Sequence, residues 1–247
     1  MDLTVLGCSG TFPVPGRAAS GYLVGHRGYR IYMDAGPDTF ANLLRYLDVV
    51  DISAVFLSHS HPDHCVDVYS LFYALRFHPE APRGVPVYGP RGIAEHLWSF
   101  ISTDVEQVFR DIFVFHELDD GEKVSLGPIT LSVATMNHPV ATLGARLEVD
   151  GRSLTYSADT GPTEALVDLA KDSSLFLCEA TYHASHPGPP LHLTAAEAAE
   201  HATSAGAQTL MLTHIRPGID QQASLAEARA HFAGEVLLAA QGLRVRV

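Results

Sequence analysis

The stretch Leu57-Ser58-His59-Ser60-His61-Pro62-Asp63-His64-Cys65 constrains this chain more than any other. It places three histidines and an aspartate within six residues, directly after an apolar run over 52–57 that reads as a buried strand. Pro62 cannot continue a strand ladder, so the polar residues belong at its carboxyl end. Asp63 and His64 then fall on the first turn of a helix beginning near Cys65. Ligand sites of open α/β sheets gather at such strand ends. Imidazole suits Zn, Fe, Ni and Cu, and the neighbouring carboxylate widens the choice to Mn. A lone histidine beside a strand is commonly a satisfied polar group. Three at this spacing crowd cations together at low pH with no structural gain, so the run reads as a metal-binding loop.

The remainder of the chain supplies a scaffold of alternating elements. Strands are expected at 3–7, 22–24, 29–33, 85–88, 112–115, 123–126, 129–134, 143–149, 153–157, 175–178, 209–212, 236–238 and 243–247. Phe40, Leu43, Leu44 and Leu47 have helical spacing, and further helices are expected at 66–77, 91–100, 164–170, 195–205 and 224–232. Thr194 and Glu197 form a capping box at the start of the alanine-rich helix over 195–205. Tyr69, Phe72 and Tyr73 read as core rather than as a substrate platform. With no linker, repeat or low-complexity segment, residues 1–247 read as a single α/β domain. Hydrophobic residues make up 47% of the chain, enough for a sizeable core.

Cys8, Cys65 and Cys178 show no paired spacing. No apolar run approaches the ~20 residues of a membrane span, and Asp2 stands where a signal peptide carries basic residues. The expectation is a cytoplasmic protein with no membrane partner. A homodimer is compatible with the sequence.

The His-x-His-x-Asp-His run resembles the signature of the metallo-β-lactamase superfamily. The other ligand positions of that family are matched downstream, each after a short apolar run: His138 in Thr135-Met136-Asn137-His138-Pro139, Asp159 in Ser157-Ala158-Asp159-Thr160-Gly161, and His214 in Leu212-Thr213-His214-Ile215. The resemblance implies a four-layer αββα sandwich and two divalent ions, Zn²⁺ by default with Mn²⁺ or Fe²⁺ as alternatives. It assigns His59, His61 and His138 to one ion, Asp63, His64 and His214 to the other, and Asp159 to both. Asp34, in Tyr32-Met33-Asp34-Ala35-Gly36, corresponds to an aspartate that supports the metal site.

Gly7-Cys8-Ser9-Gly10, Cys178-Glu179-Ala180-Thr181-Tyr182 and His192-Leu193-Thr194-Ala195-Ala196-Glu197 resemble ribonuclease Z and its phosphodiesterase relatives, most closely the compact actinobacterial-type members similar to cyclic-nucleotide phosphodiesterases. The resemblance spans essentially the whole chain and implies that Glu179 and His192 act as a catalytic pair beside the metals, with Asp63 ordering the attacking hydroxide. Cys8, Ser9 and the loop to Ser20 are expected to border the substrate. Ribonuclease Z carries a long arm that grips transfer RNA, and neither 157–175 nor 182–191 has room for one. A net charge of −12 also argues against a stable nucleic-acid complex, which needs Lys and Arg to neutralise phosphates. The expected activity is hydrolysis of a cyclic nucleotide or another small anionic phosphodiester. The alternatives are an ester, thioester or lactone hydrolase, a tRNA 3′-processing endonuclease, and a non-catalytic ligand-sensing module, for which a missing ligand would have been the sign.

Overall fold

In the computed structural model, which describes residues 1–247, the chain forms two seven-stranded sheets packed face to face. The first half contributes β1 (Asp2–Gly7), β2 (Gly21–His26), β3 (Tyr29–Ala35), β4 (Ala54–Phe56), β5 (Val85–Pro90) and β6 (Phe113–Leu118). The second contributes β7 (Lys123–Leu126), β8 (Ile129–Thr135), β9 (Leu143–Val149), β10 (Arg152–Tyr156), β11 (Leu175–Glu179), β12 (Thr209–Thr213) and β13 (Glu235–Leu238). The final strand, β14 (Arg244–Arg246), returns to the first sheet beside β1. The orders are β14-β1-β2-β3-β4-β5-β6 and β7-β8-β9-β10-β11-β12-β13. In each, the first four strands pair antiparallel and the rest continue parallel from the fourth.

Helices cover both outer faces. The first sheet carries α1 (Thr39–Leu43), α2 (Pro62–Cys65), α3 (Val68–Phe77), α4 (Ile93–Phe100) and α5 (Glu106–Ile112); the second carries α6 (Glu164–Leu169), α7 (Ala195–Ala205) and α8 (Gln221–His231). Three apolar layers result. Leu3, Val5, Met33 and Phe56 meet Leu131, Leu147, Leu177 and Met211 between the sheets. Val55, Leu71, Phe72 and Phe109 fill the space under the first helix layer. Phe176, Leu210 and the alanines of α7 fill the space under the second. Strands covered on both faces need not alternate, which is why β11 is buried at every position. Each fully buried Leu or Phe contributes roughly 1.5–3 kcal/mol.

The expected four-layer αββα architecture is present, with local differences. Asp63 and His64 sit in a separate one-turn helix, α2, with Pro62 pre-setting its first position. The next helix starts only at Val68, because the Asp67 N–H is taken by the Ala35 carbonyl and its carboxylate by the Phe40 N–H, at 2.8 Å each. Helix α5 was not expected: its apolar signal is Phe109 and Ile112 amid polar residues, too brief to show periodicity. Phe72 is core and Tyr69 half-buried, but Tyr73 is exposed and stacks on Phe77. The capping box of Thr194 and Glu197 forms on α7 as expected. No helix is long and apolar enough to cross a membrane.

Candidate metal centre

Strands β3, β4, β8, β10, β11 and β12 all end at one edge of the sandwich, and each delivers polar groups there. Asp34 lies within β3, the His59–His64 loop follows β4, His138 follows β8, Asp159 follows β10, Glu179 ends β11 and His214 follows β12. Asp34, Ala158 and His214 all take left-handed backbone conformations, with φ of 54°. Such strain at non-glycine residues persists where the surroundings over-determine it, and it collects at functional sites. Gly10 packs so closely on His214 that a Cβ there would stand 2.3 Å from the histidine's carbonyl oxygen.

Two clusters of ligand atoms share Asp159. In the first, His61 Nδ1 lies 3.1 Å from both His59 Nε2 and His138 Nε2. Asp159 Oδ2 lies 3.8 and 4.0 Å from the same two nitrogens. In the second, His64 Nε2 is 3.2 Å from His214 Nε2 and 3.6 Å from Asp63 Oδ2, and His214 Nε2 is 3.3 Å from that oxygen. Asp159 Oδ1 stands 3.2 and 3.4 Å from the two histidines. Four-coordinate zinc with Zn–N bonds of ~2.0–2.1 Å separates neighbouring ligand atoms by about 3.3–3.4 Å. In the second cluster the distances from His64 and His214 run from 3.2 to 3.6 Å, close to that spacing, and the first is slightly more open towards Asp159. Asp159 Oδ1 is buried with no hydrogen-bond partner, an expensive arrangement without a cation. The residues therefore fit divalent metal ions, with one carboxylate oxygen of Asp159 turned to each cluster.

Hydrogen bonds behind the ligands fix which nitrogen each histidine presents. His64 Nδ1 donates to Asp34 Oδ2 at 2.7 Å. His59 Nδ1 donates to Ser58 Oγ at 3.0 Å, whose hydroxyl donates on to Asp34 at 2.8 Å. Tyr156 Oη and the Ser58 N–H also donate to this buried carboxylate, both at 2.7 Å. The second half repeats the device: His214 Nδ1 donates to Thr181 Oγ1 at 2.8 Å, and Thr181 donates to Glu179 Oε2 at 2.6 Å. His138 Nδ1 donates to the Leu191 carbonyl at 3.2 Å. Asp34 was anticipated in this supporting role, whereas Ser58, Thr181, Tyr156 and Leu191 were not. The one legible hint is that Thr181 sits two residues from Glu179.

Charge follows this arrangement. Burial, with His64 alongside, drives the His59 imidazole well below the usual histidine value, and burial lowers His61 and His138 as well. Burial opposes a charge on His64 too, but Asp159, Asp63 and Asp34 outweigh it and hold its pKa well above the usual value. Asp159 is buried, yet His214 and His64 hold its carboxylate well below the usual range.

Glu179 and His192 are together. His192 Nδ1 donates to Glu179 Oε1 at 2.9 Å, and the His192 ring stacks on His214 with centroids 5.7 Å apart. Burial works against the charged imidazole, but the hydrogen bond and charge of Glu179 prevail and raise it to about 9. Glu179 is fully buried and also accepts from the N–H groups of Thr160 and Leu193. Glu179, His192 and His214 converge closely enough to suggest a third metal group. Their facing atoms are committed to hydrogen bonds, so the convergence is a proton-holding network. Beside the clusters lies a mouth of about 370 Å³ bordered by Thr11, His61, Asp63, Asp159, His192 and His214. Cys8 and Ser9, expected at this border, are buried, and Ser9 Oγ donates to the Phe12 carbonyl. The loop they start brings Thr11 to the mouth instead.

Comparison with known proteins agrees with this geometry. A family model described as a β-lactamase superfamily domain matches residues 29–215. An uncharacterized protein of Mycobacterium tuberculosis is 39% identical over 241 residues, covering 95% of this chain and 88% of the relative. The probable metallo-hydrolase YhfI of Bacillus subtilis is 30% identical over 251 residues, 98% of each protein. The crystal structure of YhfI superposes with a TM-score of 0.90 at 26% identity, covering 99% of both chains. Ribonuclease Z of Haloarcula marismortui is 26% identical, covering 100% of this chain and 97% of the archaeal protein. Its alignment runs over 302 residues, more than the 247 present here, so the archaeal protein has segments that this chain lacks. The chain belongs to the β-lactamase superfamily, as a metallo-hydrolase of metallo-β-lactamase fold in the ribonuclease Z-like branch.

Proposed function

We propose that the protein is a two-metal phosphodiesterase that hydrolyses small phosphodiesters, cyclic nucleotides among them, with Zn²⁺ as its default ion. The observation that carries this reading is the mouth beside the two clusters. Pro62 apart, every residue lining it is polar, so it offers an acyl chain no run of aliphatic side chains. A charged diester suits such a mouth better than an ester, thioester or lactone does.

His59, His61 and His138 would hold one ion, Asp63, His64 and His214 the other, and Asp159 both. When bound, such ions supply Lewis acidity towards phosphoryl oxygens and bring the pKa of water from 15.7 towards ~7. The chain's own residues do the rest. Asp63, 14% exposed at the mouth, accepts a hydrogen bond from the attacking water and orients it. His192 spends Nδ1 on Glu179 and keeps Nε2 to protonate the departing alkoxide. Glu179 raises the imidazole to about 9 before any ion binds, which favours keeping that proton.

Substrate size follows from what surrounds the mouth. Residues 157–175 hold only a loop and the six-residue α6, and 182–191 form a short loop, so no arm extends to grip a folded RNA. With a charge of −12, binding energy comes chiefly from the metal centre, which suits a small substrate rather than a polyanion. Zinc-loaded protein should therefore turn over bis-p-nitrophenyl phosphate and 2′,3′- or 3′,5′-cyclic nucleotides. It should leave a thioester panel and a precursor tRNA trailer intact at low salt. Thioester turnover without diester turnover would replace this reading with acyl hydrolysis, and efficient trailer removal would restore ribonuclease Z activity.

A further inference from the structure

Beside the polar mouth lies a larger cleft of about 690 Å³, between the loop of residues 182–191 and the loop that follows His214. The two cavities share a wall. Tyr182 lines the larger one while its ring stands edge-on to His192, centroids 6.0 Å apart. Arg216 also lines it and is two residues from His214. Their linings differ, however: the cleft presents flat apolar surface from Tyr182, Pro187, Pro189 and Ile219.

Arg216 is exposed and makes no ion pair, and its guanidinium carbon lies 5.8 Å from the centre of the Tyr182 ring. In a chain with a net charge of −12, an arginine left unpaired beside a phosphate-handling centre is available to a ligand. The guanidinium lies over the Tyr182 ring as a cation–π pair, and its outer plane is a surface on which a nucleobase stacks. The wall bearing them is fixed. Glu227 of α8 pairs with His183 Nε2 at 2.9 Å and accepts from the Ala184 N–H at 3.0 Å. Gly188 lies against the Tyr182 ring so closely that a Cβ there would come within 2.0 Å of it.

We propose that this cleft is a nucleoside subsite, in which the base lies against Arg216 and Tyr182 while the scissile phosphate occupies the polar mouth. The assignment rests on the phosphodiesterase reading and narrows it from small diesters to nucleotides. Arg216 is the specificity residue to test, because it touches neither the metal clusters nor the Glu179–His192 pair.

In zinc-loaded protein, Arg216→Ala should raise KM for a cyclic nucleotide about 5- to 150-fold, the equivalent of the ~1–3 kcal/mol that stacking contributes per base. The kcat should hold, and KM for ribose cyclic phosphate lacking a base should not move. Arg216→Lys, which keeps the charge but not the plane, should restore little. Adenosine itself, which has no phosphate, should bind the wild type in saturation-transfer NMR and lose that binding in Arg216→Ala. An unchanged nucleotide KM, or equal losses on the base-free and base-bearing substrates, would overturn the subsite while leaving phosphodiester hydrolysis standing. If no diester is turned over, the phosphodiesterase reading fails, and the adenosine measurement still decides the subsite: no Arg216-dependent binding refutes it.

Discussion

Glu179 reaches two histidines with its two carboxylate oxygens. Oε1 accepts from His192 Nδ1 at 2.9 Å, while Oε2 accepts the Thr181 hydroxyl at 2.6 Å, and Thr181 in turn accepts from His214. One buried carboxylate thus sets both the proton on His192 and the orientation of a candidate metal ligand. General acid catalysis contributes typically ~10²–10⁴-fold. His192→Ala should therefore lower turnover of an alkyl leaving group by that order while metal content stays unchanged. The loss should shrink for p-nitrophenolate, which leaves without needing a proton. Equal losses on both leaving groups would point to substrate positioning instead.

The same pair gives a pH dependence with a definite sign. Glu179 raises the His192 pKa, so the acid form is present below about 9 and is lost as pH rises through that value. Bound dications oppose the positive imidazolium and bring the limb lower. Glu179→Gln removes the charge that raises the pKa and should move the basic limb of kcat/KM to still lower pH. The comparison is a pH–rate profile of both proteins at full metal loading; coincident limbs would remove His192 from the role of acid.

Asp159 supplies the only carboxylate directed at both clusters, with Oδ1 on one side and Oδ2 on the other. Asp159→Ala should lose at least one metal per chain in elemental analysis, and nearly all activity with it. Wild-type protein should load two. Full loading of the variant would show that the clusters bind independently of this residue.

What was legible in the sequence and what was not divide by distance along the chain. His59 to His64 could be read because four ligand residues lie within six positions after an apolar run. His138, Asp159 and His214 each follow a strand, and β8, β10 and β12 run in the same direction, which brings their ends to one edge. Ser58 and Thr181 could not be read the same way. Their roles come from Asp34, 24 residues from Ser58, and from His214, 33 residues from Thr181. A serine or threonine beside a ligand has no sequence signature until the fold supplies its acceptor. Leu191 acts through its carbonyl alone, which leaves no trace in residue type. Cys8 and Ser9 were placed at the substrate because their loop is, but the turn at Gly10 buries both and presents Thr11.

The hydroxyl relays make a separate prediction. Thr181→Val keeps shape while breaking the link between Glu179 and His214, and groups that orient metal ligands are worth roughly 10–100-fold in affinity. The variant should lose metal affinity by that order with little change in melting temperature of the metal-free protein. Asp34→Ala should lose both affinity and stability, because it strands the buried donors of Ser58, His64 and Tyr156 at about 1–3 kcal/mol each. Equal stability losses in the two variants would mean that Thr181 serves the fold rather than the metal centre.

Metal loading should itself release a proton, and the source can be named. A ligating imidazole must be neutral at the coordinating nitrogen. His59, His61 and His138 are held below the ordinary histidine value and stand neutral at pH 7.5, while Asp63 and Asp159 are held low and stand ionised. His64, raised well above 6.5 by the three carboxylates around it, carries a proton that ligation must displace. His192 carries another near the incoming charge, so the measurement belongs in His192→Ala. Zinc titration of that variant by calorimetry, in buffers of different ionisation enthalpy, should show the His64 proton released at pH 7.5, in addition to any lost by metal-bound water. Below the His64 pKa, affinity at the cluster of Asp63, His64 and His214 should then fall about tenfold per pH unit, the 1.36 kcal/mol cost of removing one proton. No proton release would mean that His64 is already neutral and that Asp34, Asp63 and Asp159 do not hold its charge.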